Sequence, residues 1–332
     1  MARTFVTVFF CTVISLMIII SGCSKIHIDA KASPDNPVLR PEIDGPWWQV
    51  AGDPDLGKFT SEKQQPVDFG LWQAADGTWQ LWSCIRHTNC RGHTRLFYRW
   101  EGKKLTDTDW RPMGIAMQAD TKLGEQEGGL QAPHVIKVDD TYYMFYGDWK
   151  NICLAKSKDG KKFKRVINDK GTPALFTGPY QNTRDPMVLK INDLYYCYYM
   201  GHLKSKKPDS AIFCRTSSDL IFWSQPMLVS GGGIADKRSD WHGGDAECPF
   251  VLHKNGLFYL FRNQVYGVNN LNTQYCSANP LAFGVDDDRY MLGTLEVAAP
   301  EIIYHNGRYY IAALMPSLKG IRIAKLKWVS SL

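Results

Sequence analysis

The amino-acid sequence predicts an all-β protein folded as a single five-bladed β-propeller over residues 46–332. Three observations predict it. One order of residue types occurs four times, with a weaker fifth copy that lacks the proline: a small or acidic residue, proline, four or five mostly apolar residues, an Asn/Asp-rich turn and an aromatic run. Asn-Gly and Asp-Gly turns between apolar runs are strong hairpin signals, and their β-branched and aromatic flanks favour strands. Helical periodicity is nowhere sustained, so five meanders of three or four strands make a propeller. With 332 residues, 44% apolar and 13% aromatic, the chain can bury such a core unaided.

Blade one is the weakest copy, running from Asp68 to Trp79 without a proline. Blade two opens with Ala132-Pro133 and runs through Tyr142-Tyr143 to Gly147. Blade three opens with Asp185-Pro186 and reaches Tyr195-Tyr196, blade four runs from Cys248-Pro249 to Phe258-Tyr259, and blade five from Ala299-Pro300 to Tyr309-Tyr310. Third strands with a second turn follow, clearest at Leu154–Phe163 and Arg215–Trp223. The last copy ends near Trp328 after three strands, so its outer strand is expected from the N-terminal side, around Trp47 to Val50. The repeated tyrosine pairs read as core and inter-blade packing.

Ahead of the propeller, Arg3 precedes a stretch without charge from Thr4 to Ser24, and residues 1–22 read as a signal peptide. It ends in Ile20-Ser21-Gly22-Cys23, which resembles the bacterial lipobox; the resemblance implies that Cys23 is lipidated. The alternative is a single transmembrane anchor. Either way the remainder lies outside the inner membrane; on the lipobox reading it is an exported lipoprotein, periplasmic or anchored at the outer membrane or cell surface. Residues 23–45, with Pro34, Pro37 and Pro41, read as a tether. The net charge of +6 and the absence of a basic run longer than Lys204 to Lys207 argue against a nucleic-acid partner.

Beyond Cys11 and Cys23, seven cysteines remain, an odd number. Export permits disulfides, and Cys84 with Cys90 or Cys197 with Cys214 are the candidate pairs. No CxxC pair suggests a zinc site.

In a propeller the innermost strands line the channel, so the residues before each proline converge near the axis. Blades two and five carry Gln131-Ala132 and Ala298-Ala299 there, whereas blade three has Arg184-Asp185 and blade four Glu247-Cys248. Blade one places Asp68 in line with Glu247, with Asp53 and Asp55 as alternatives. Carboxylates at a converging, dry site are costly unless function uses them. Glycoside hydrolysis needs such a set, one carboxylic acid for the leaving oxygen and one carboxylate as base or nucleophile. An internal salt bridge of Asp185 with Arg184 is the structural alternative.

Arg184-Asp185-Pro186 and Glu247-Cys248-Pro249 resemble the RDP and EC-P motifs of glycoside hydrolase family 32, and the whole ring resembles families 43 and 117. The resemblance implies that Glu247 is the general acid and that Asp185 stabilises the transition state or tunes that acid. The Asn-Asp-Pro-Asn-Gly stretch of family 32 is absent, and Val67-Asp68-Phe69-Gly70 is nearer the single Asp of families 43 and 117. This favours an inverting reaction with Asp68 as general base. Strand tips and linkers add Arg86, His87, Asp148, Trp149, Arg184, His202, Trp241, His242, Arg262 and Asn263 as candidates for sugar binding. Trp149 and Trp241 suit stacking and Arg262 and Asn263 suit hydroxyls. His202 and His242 could instead relay protons or bind a central ion such as calcium; no other cofactor is expected. The expectation is a glycosidase that cleaves plant or algal oligosaccharides, exo-acting because a narrow mouth favours a pocket. A non-catalytic sugar-binding lipoprotein is the rival, and a propeller phosphorylase ranks last.

Overall fold

The computed structural model describes residues 37–180, 182–203, 210–237 and 246–330. The strands assemble as five antiparallel sheets, each a blade that runs outward from the axis. The chain begins with β1 (Leu39–Gly52), set aside for the last blade. Blade one is β2 (Gln65–Gln73), β3 (Trp79–Arg86), β4 (Leu96–Gly102) and β5 (Arg111–Met117). Blade two is β6 (Gln131–Val138), β7 (Thr141–Gly147) and β8 (Asn151–Ser157), with the two-residue β9 (Lys164–Arg165) and β10 (Ala174–Thr177) both paired to β8. Blade three is β11 (Arg184–Ile191), β12 (Leu194–His202), β13 (Ser210–Ser217) and β14 (Met227–Ser230). Blade four is β15 (Glu247–Lys254), β16 (Leu257–Val265), β17 (Leu271–Ser277) and β18 (Met291–Leu295). Blade five is β19 (Glu301–His305), β20 (Arg308–Leu314) and β21 (Gly320–Ser330), completed by β1.

β1 pairs antiparallel with β21 from Leu39 opposite Ser330 to Gly52 opposite Gly320, so the first strand of the chain closes the ring on the last. The closure comes from the N-terminal side as the truncated fifth repeat requires. Its strand starts at Leu39, however, so the blade takes in residues 39–45 that the sequence assigns to a tether. Pro41 is tolerated because β1 is an edge strand. Beyond β21, Trp48 packs edge-on against Tyr310 with centroids 6.3 Å apart, and the amides of Asp109 and Trp110 bond to Gln49 and Val50 carbonyls. One segment thus ties blade five to blade one. The signal segment and Cys23 lie outside the described residues.

The tyrosine pairs hold the blades together because alternate residues of a strand face opposite sides. Tyr142 joins the core shared with blade one while Tyr143 packs into the core shared with blade three. Tyr195 and Tyr196 divide in the same way. The second turns repeat as well: Asp159 and Asp219 each accept a hydroxyl and two backbone amides, from Ser157 with residues 161 and 162, and from Ser217 with residues 221 and 222. The expected disulfides do not form; all seven cysteines from Cys84 to Cys276 are free thiols. Tyr198, not Cys197, stands opposite Cys214, which sends the two thiols to opposite faces of the sheet. Cys84 is instead buried in β3, its thiol 3.3 Å from the Leu130 carbonyl, and Cys90 bonds locally with Thr88.

Inner strands approach closely at Gly70, where an added Cβ would stand 2.2 Å from the Pro133 carbonyl oxygen of the next blade. Gly70→Ala is expected to lower stability by about 2 kcal/mol or more, since backbone must move to admit the methyl. Denaturant unfolding checks this, and an unchanged midpoint would show that the blades are not packed so tightly.

Candidate active site

At or near the start of each innermost strand one residue adopts left-handed backbone. Asp68, Ala132, Asp185, Cys248 and Ala299 have φ of 37°, 43°, 57°, 43° and 47°. Four precede proline, which disfavours right-handed helical backbone there, and blade one adopts the same conformation before Phe69 without one. In blades one to four the ladder slips at this point, between Val67 and Phe69, Gln131 and His134, Arg184 and Met187, and Glu247 and Phe250. Such a bulge turns side chains toward the axis. All five residues line one channel, with a void of about 20 Å³, room for a water molecule.

This backbone register corrects the alignment read from the sequence. Asp68 is equivalent to Asp185 and Cys248, not to Glu247. The equivalents of Glu247 are Val67, Gln131, Arg184 and Ala298, one residue earlier in each blade. Only a proline marks the bulge in sequence, and blade one has none. The alternatives for the blade-one carboxylate are occupied elsewhere: Asp53 pairs with Lys319 at 2.9 Å, and Asp55 caps Gly57 at 2.8 Å.

The channel ring brings two carboxylates and a thiol together. Cys248 Sγ lies 3.2 Å from Asp68 Oδ1, 3.7 Å from Asp185 Oδ2 and 2.9 Å from the Tyr266 hydroxyl, which itself donates to Asp68 Oδ1 at 3.1 Å. The Cys248 amide donates to Asp185 Oδ2 at 3.1 Å. Burial, then the charges of Asp185 and Asp68, push the Cys248 thiol well up, so it stays protonated and acts as a donor. Burial and the charge of Asp68 push Asp185 up to about 7, against the pull of Arg184. Behind this ring, Arg184 ion-pairs with Glu247 and has its Nε 3.7 Å from Asp185 Oδ2. Burial works against the Arg184 charge, but Glu247 and Asp185 outweigh it and hold the guanidinium protonated. Asp68, Arg184, Asp185 and Glu247 are all at most 8% exposed. The salt bridge considered for Arg184 and Asp185 is thus shared, its shorter arm going to Glu247.

The other expected sugar-binding residues divide. Arg86 stands at the end of β3 with its Nε 2.8 Å from Gln65 and its guanidinium 5.9 Å from the Tyr266 ring. His87 is exposed beside it. Trp149 stacks on His93 at 3.8 Å and carries Arg95 at 4.9 Å, so its ring is already engaged. Asp148 is spent on its own turn, accepting from the amides of Lys150 and Asn151. Arg262 is fully buried and bonded to Asp236, Gly232 and Ser230, and Asn263 is buried with its side chain on the Ala299 amide. These two residues brace blades and offer no groups to a sugar. They follow an aromatic run, as the strand tips do, but lie within β16; Tyr266, just past its end, is the tip residue that sequence reasoning missed. Trp241 and His242 lie outside the described residues.

His202, at the end of β12, is half-buried and does not line the channel. The channel histidine is His134, 3.3 Å from the Val188 carbonyl and pushed down to about 4 by burial, hence neutral. Asp68, Asp185 and Cys248 present ligand atoms within 4.8 Å of one another. Two carboxylates and a thiol are a poor match for calcium, which takes six to eight oxygens.

No protein-family model and no curated protein matches this chain by sequence. Solved structures do match by shape. An endo-arabinase from Bacteroides thetaiotaomicron superposes with a TM-score of 0.60 at 15% identity, over 79% of this chain and 94% of that one. An endo-1,4-β-xylanase from the same organism gives 0.60 at 15%, over 81% and 97%. A family-43 glycoside hydrolase from Xanthomonas citri, complexed with xylotriose, gives 0.56 at 12%, over 83% and 89%. The fold is that of these hydrolases.

The raised Asp185 carboxyl links site and stability. A carboxyl whose folded pKa of about 7 exceeds its usual 3.8 contributes stability fully below pH 3.8 and loses it as pH rises through 7. Asp185→Asn is therefore expected to melt roughly 2–6 °C above the unsubstituted chain at pH 8, with the gain vanishing toward pH 4. Thermal unfolding across that range checks it; a gain independent of pH contradicts it.

Proposed function

We propose that the chain is a glycoside hydrolase working at the channel mouth, with Asp68 as general base, Glu247 as general acid and Asp185 tuning the acid. The observation that carries this reading is the replacement of small or neutral residues by Asp68, Asp185 and Glu247 at the mouth, all buried, with one arginine shared between two of them. Three buried carboxylates against one guanidinium raise the cost of ionising the last of them. That is the condition under which one carboxyl keeps a proton for a leaving group while another accepts one from water.

The finer reading is inverting cleavage from a chain end of plant or algal oligosaccharides. A single blade-one carboxylate supports inversion. A channel void of about 20 Å³ admits water but no sugar ring, so a glycan enters only as far as the mouth; exo-action rests on the narrowness expected of a propeller mouth. Export and lipidation at Cys23 belong to the same proposal and rest on the lipobox resemblance; incorporation of labelled fatty acid that Cys23→Ala abolishes would support the anchor, and labelling unaffected by it would refute it.

One observation favours a second assignment of the acid. Glu247 is held by Arg184, and the Asp185 carboxyl is pushed up toward neutrality. The two assignments separate by leaving group, because a nitrophenyl glycoside departs without protonation. Glu247→Gln is expected to lose about a hundredfold or more on natural arabino-, xylo-, fructo-, galacto- or agaro-oligosaccharides while keeping most of its nitrophenyl activity. If Asp185→Asn shows that pattern instead, the acid is Asp185. Binding without release by the unsubstituted chain on every substrate would leave a sugar-capturing propeller.

A further inference from the structure

The rim of blade one carries a concentration of cations that the hydrolytic machinery does not use. Arg86 ends β3, Arg91 and Arg95 lie in the loop to β4, and Lys58 and Lys63 lie in the segment before β2. None enters an ion pair among the described residues. Lys58, Arg91 and Arg95 line a groove of about 460 Å³ with Phe59, against one carboxylate, Glu127. That volume suits a small ligand. The cations act on common ground: His87 is pushed down by burial and then by Arg86, Arg95 and Lys63, with no carboxylate opposing them.

Two of these cations are held in place. Arg86 donates its Nε to Gln65, and its guanidinium lies 5.9 Å from the ring of Tyr266, whose hydroxyl donates to Asp68. Arg95 lies over Trp149, whose ring is backed by His93 and whose φ of 79° is a strained backbone for a bulky residue. A planar guanidinium fixed by a ring or an amide has already lost the rotamer freedom that binding would otherwise cost, and its fork matches a carboxylate or a sulfate. Like charges left side by side destabilise the free protein, and an anionic ligand relieves this.

We propose that the blade-one rim is an anion-recognising subsite, so that the glycan bound at the mouth carries a carboxylate or sulfate ester beside the bond presented to Asp68. This rests on the hydrolase reading for its substrate but not for its binding. The test is calorimetry on the full chain carrying Glu247→Gln, with two matched pairs: a uronate-bearing xylo-oligosaccharide against its carboxyl-reduced form, and a sulfated galacto-oligosaccharide against its desulfated form. At least one charged member is expected to bind about tenfold or more tighter than its neutral partner at low salt. The preference shrinks as salt rises. Adding Arg86→Gln and Arg95→Gln reduces it to within about twofold, and lysine at both positions restores part of it. The pair that discriminates identifies the anion. Equal affinities in both pairs, no binding of either charged member, or a preference that survives the double glutamine variant overturns the proposal. If the charge preference holds but the unsubstituted chain cleaves nothing, the hydrolase reading fails and the subsite stands.

Discussion

Left-handed backbone at the start of every innermost strand is the constraint on which the molecule depends. Each non-glycine residue held there costs about 1–3 kcal/mol, and five blades bear that cost together. The compensation is tertiary: the inner strands of neighbouring blades touch, Gly70 lies against Pro133, and the β1 to β21 pairing keeps the ring shut. The left-handed residue at this point is what aims a side chain down the channel. In blades two and five that side chain is only a methyl group, so the conformation belongs to the fold, and the Asp, Asp and Cys of the other three blades are additions to it.

Those additions create an electrostatic problem that a few neighbours contain. Asp68 and Asp185 share a buried space, so the charge of Asp68 makes Asp185 harder to ionise, and the Cys248 thiol and Tyr266 hydroxyl supply donors where water would otherwise be needed. Arg184 offsets part of the charge but divides itself between Glu247 and Asp185. The residue set is less stable than an apolar one would be, the pattern expected where activity and stability compete. Cys248 is the least obvious member. Half-buried and kept protonated, it is a donor that also brings the backbone amide to Asp185.

Much of this was legible in the chain. The proline after the left-handed residue, the aromatic pairs and the Asp-containing turns each mark one place per blade, because each satisfies a requirement that recurs with the fold. Blade one shows where legibility stops: without proline nothing in Val67-Asp68-Phe69 marks the bulge, and a slip of one residue exchanges the equivalents of Glu247 and Cys248. The Cys197–Cys214 pair failed for the same reason, since one step of register sends the two thiols to opposite faces. Arg262 and Asn263 were misread because polar residues in a strand look alike whether they face a substrate or a buried partner. Tyr266, and the grouping of Arg86 with the other blade-one cations, became visible only once loops distant in sequence met at the rim.

The central claim is that Asp68 and Asp185 form one charge-linked site at the channel mouth. Infrared difference spectroscopy across a pH titration tests it most directly by following the protonated carboxyl band that Asp185→Asn removes. The account predicts that this band disappears near pH 7 in the unsubstituted chain and at distinctly lower pH in Asp68→Asn. A band already lost by pH 5, or one unmoved by Asp68→Asn, would contradict it.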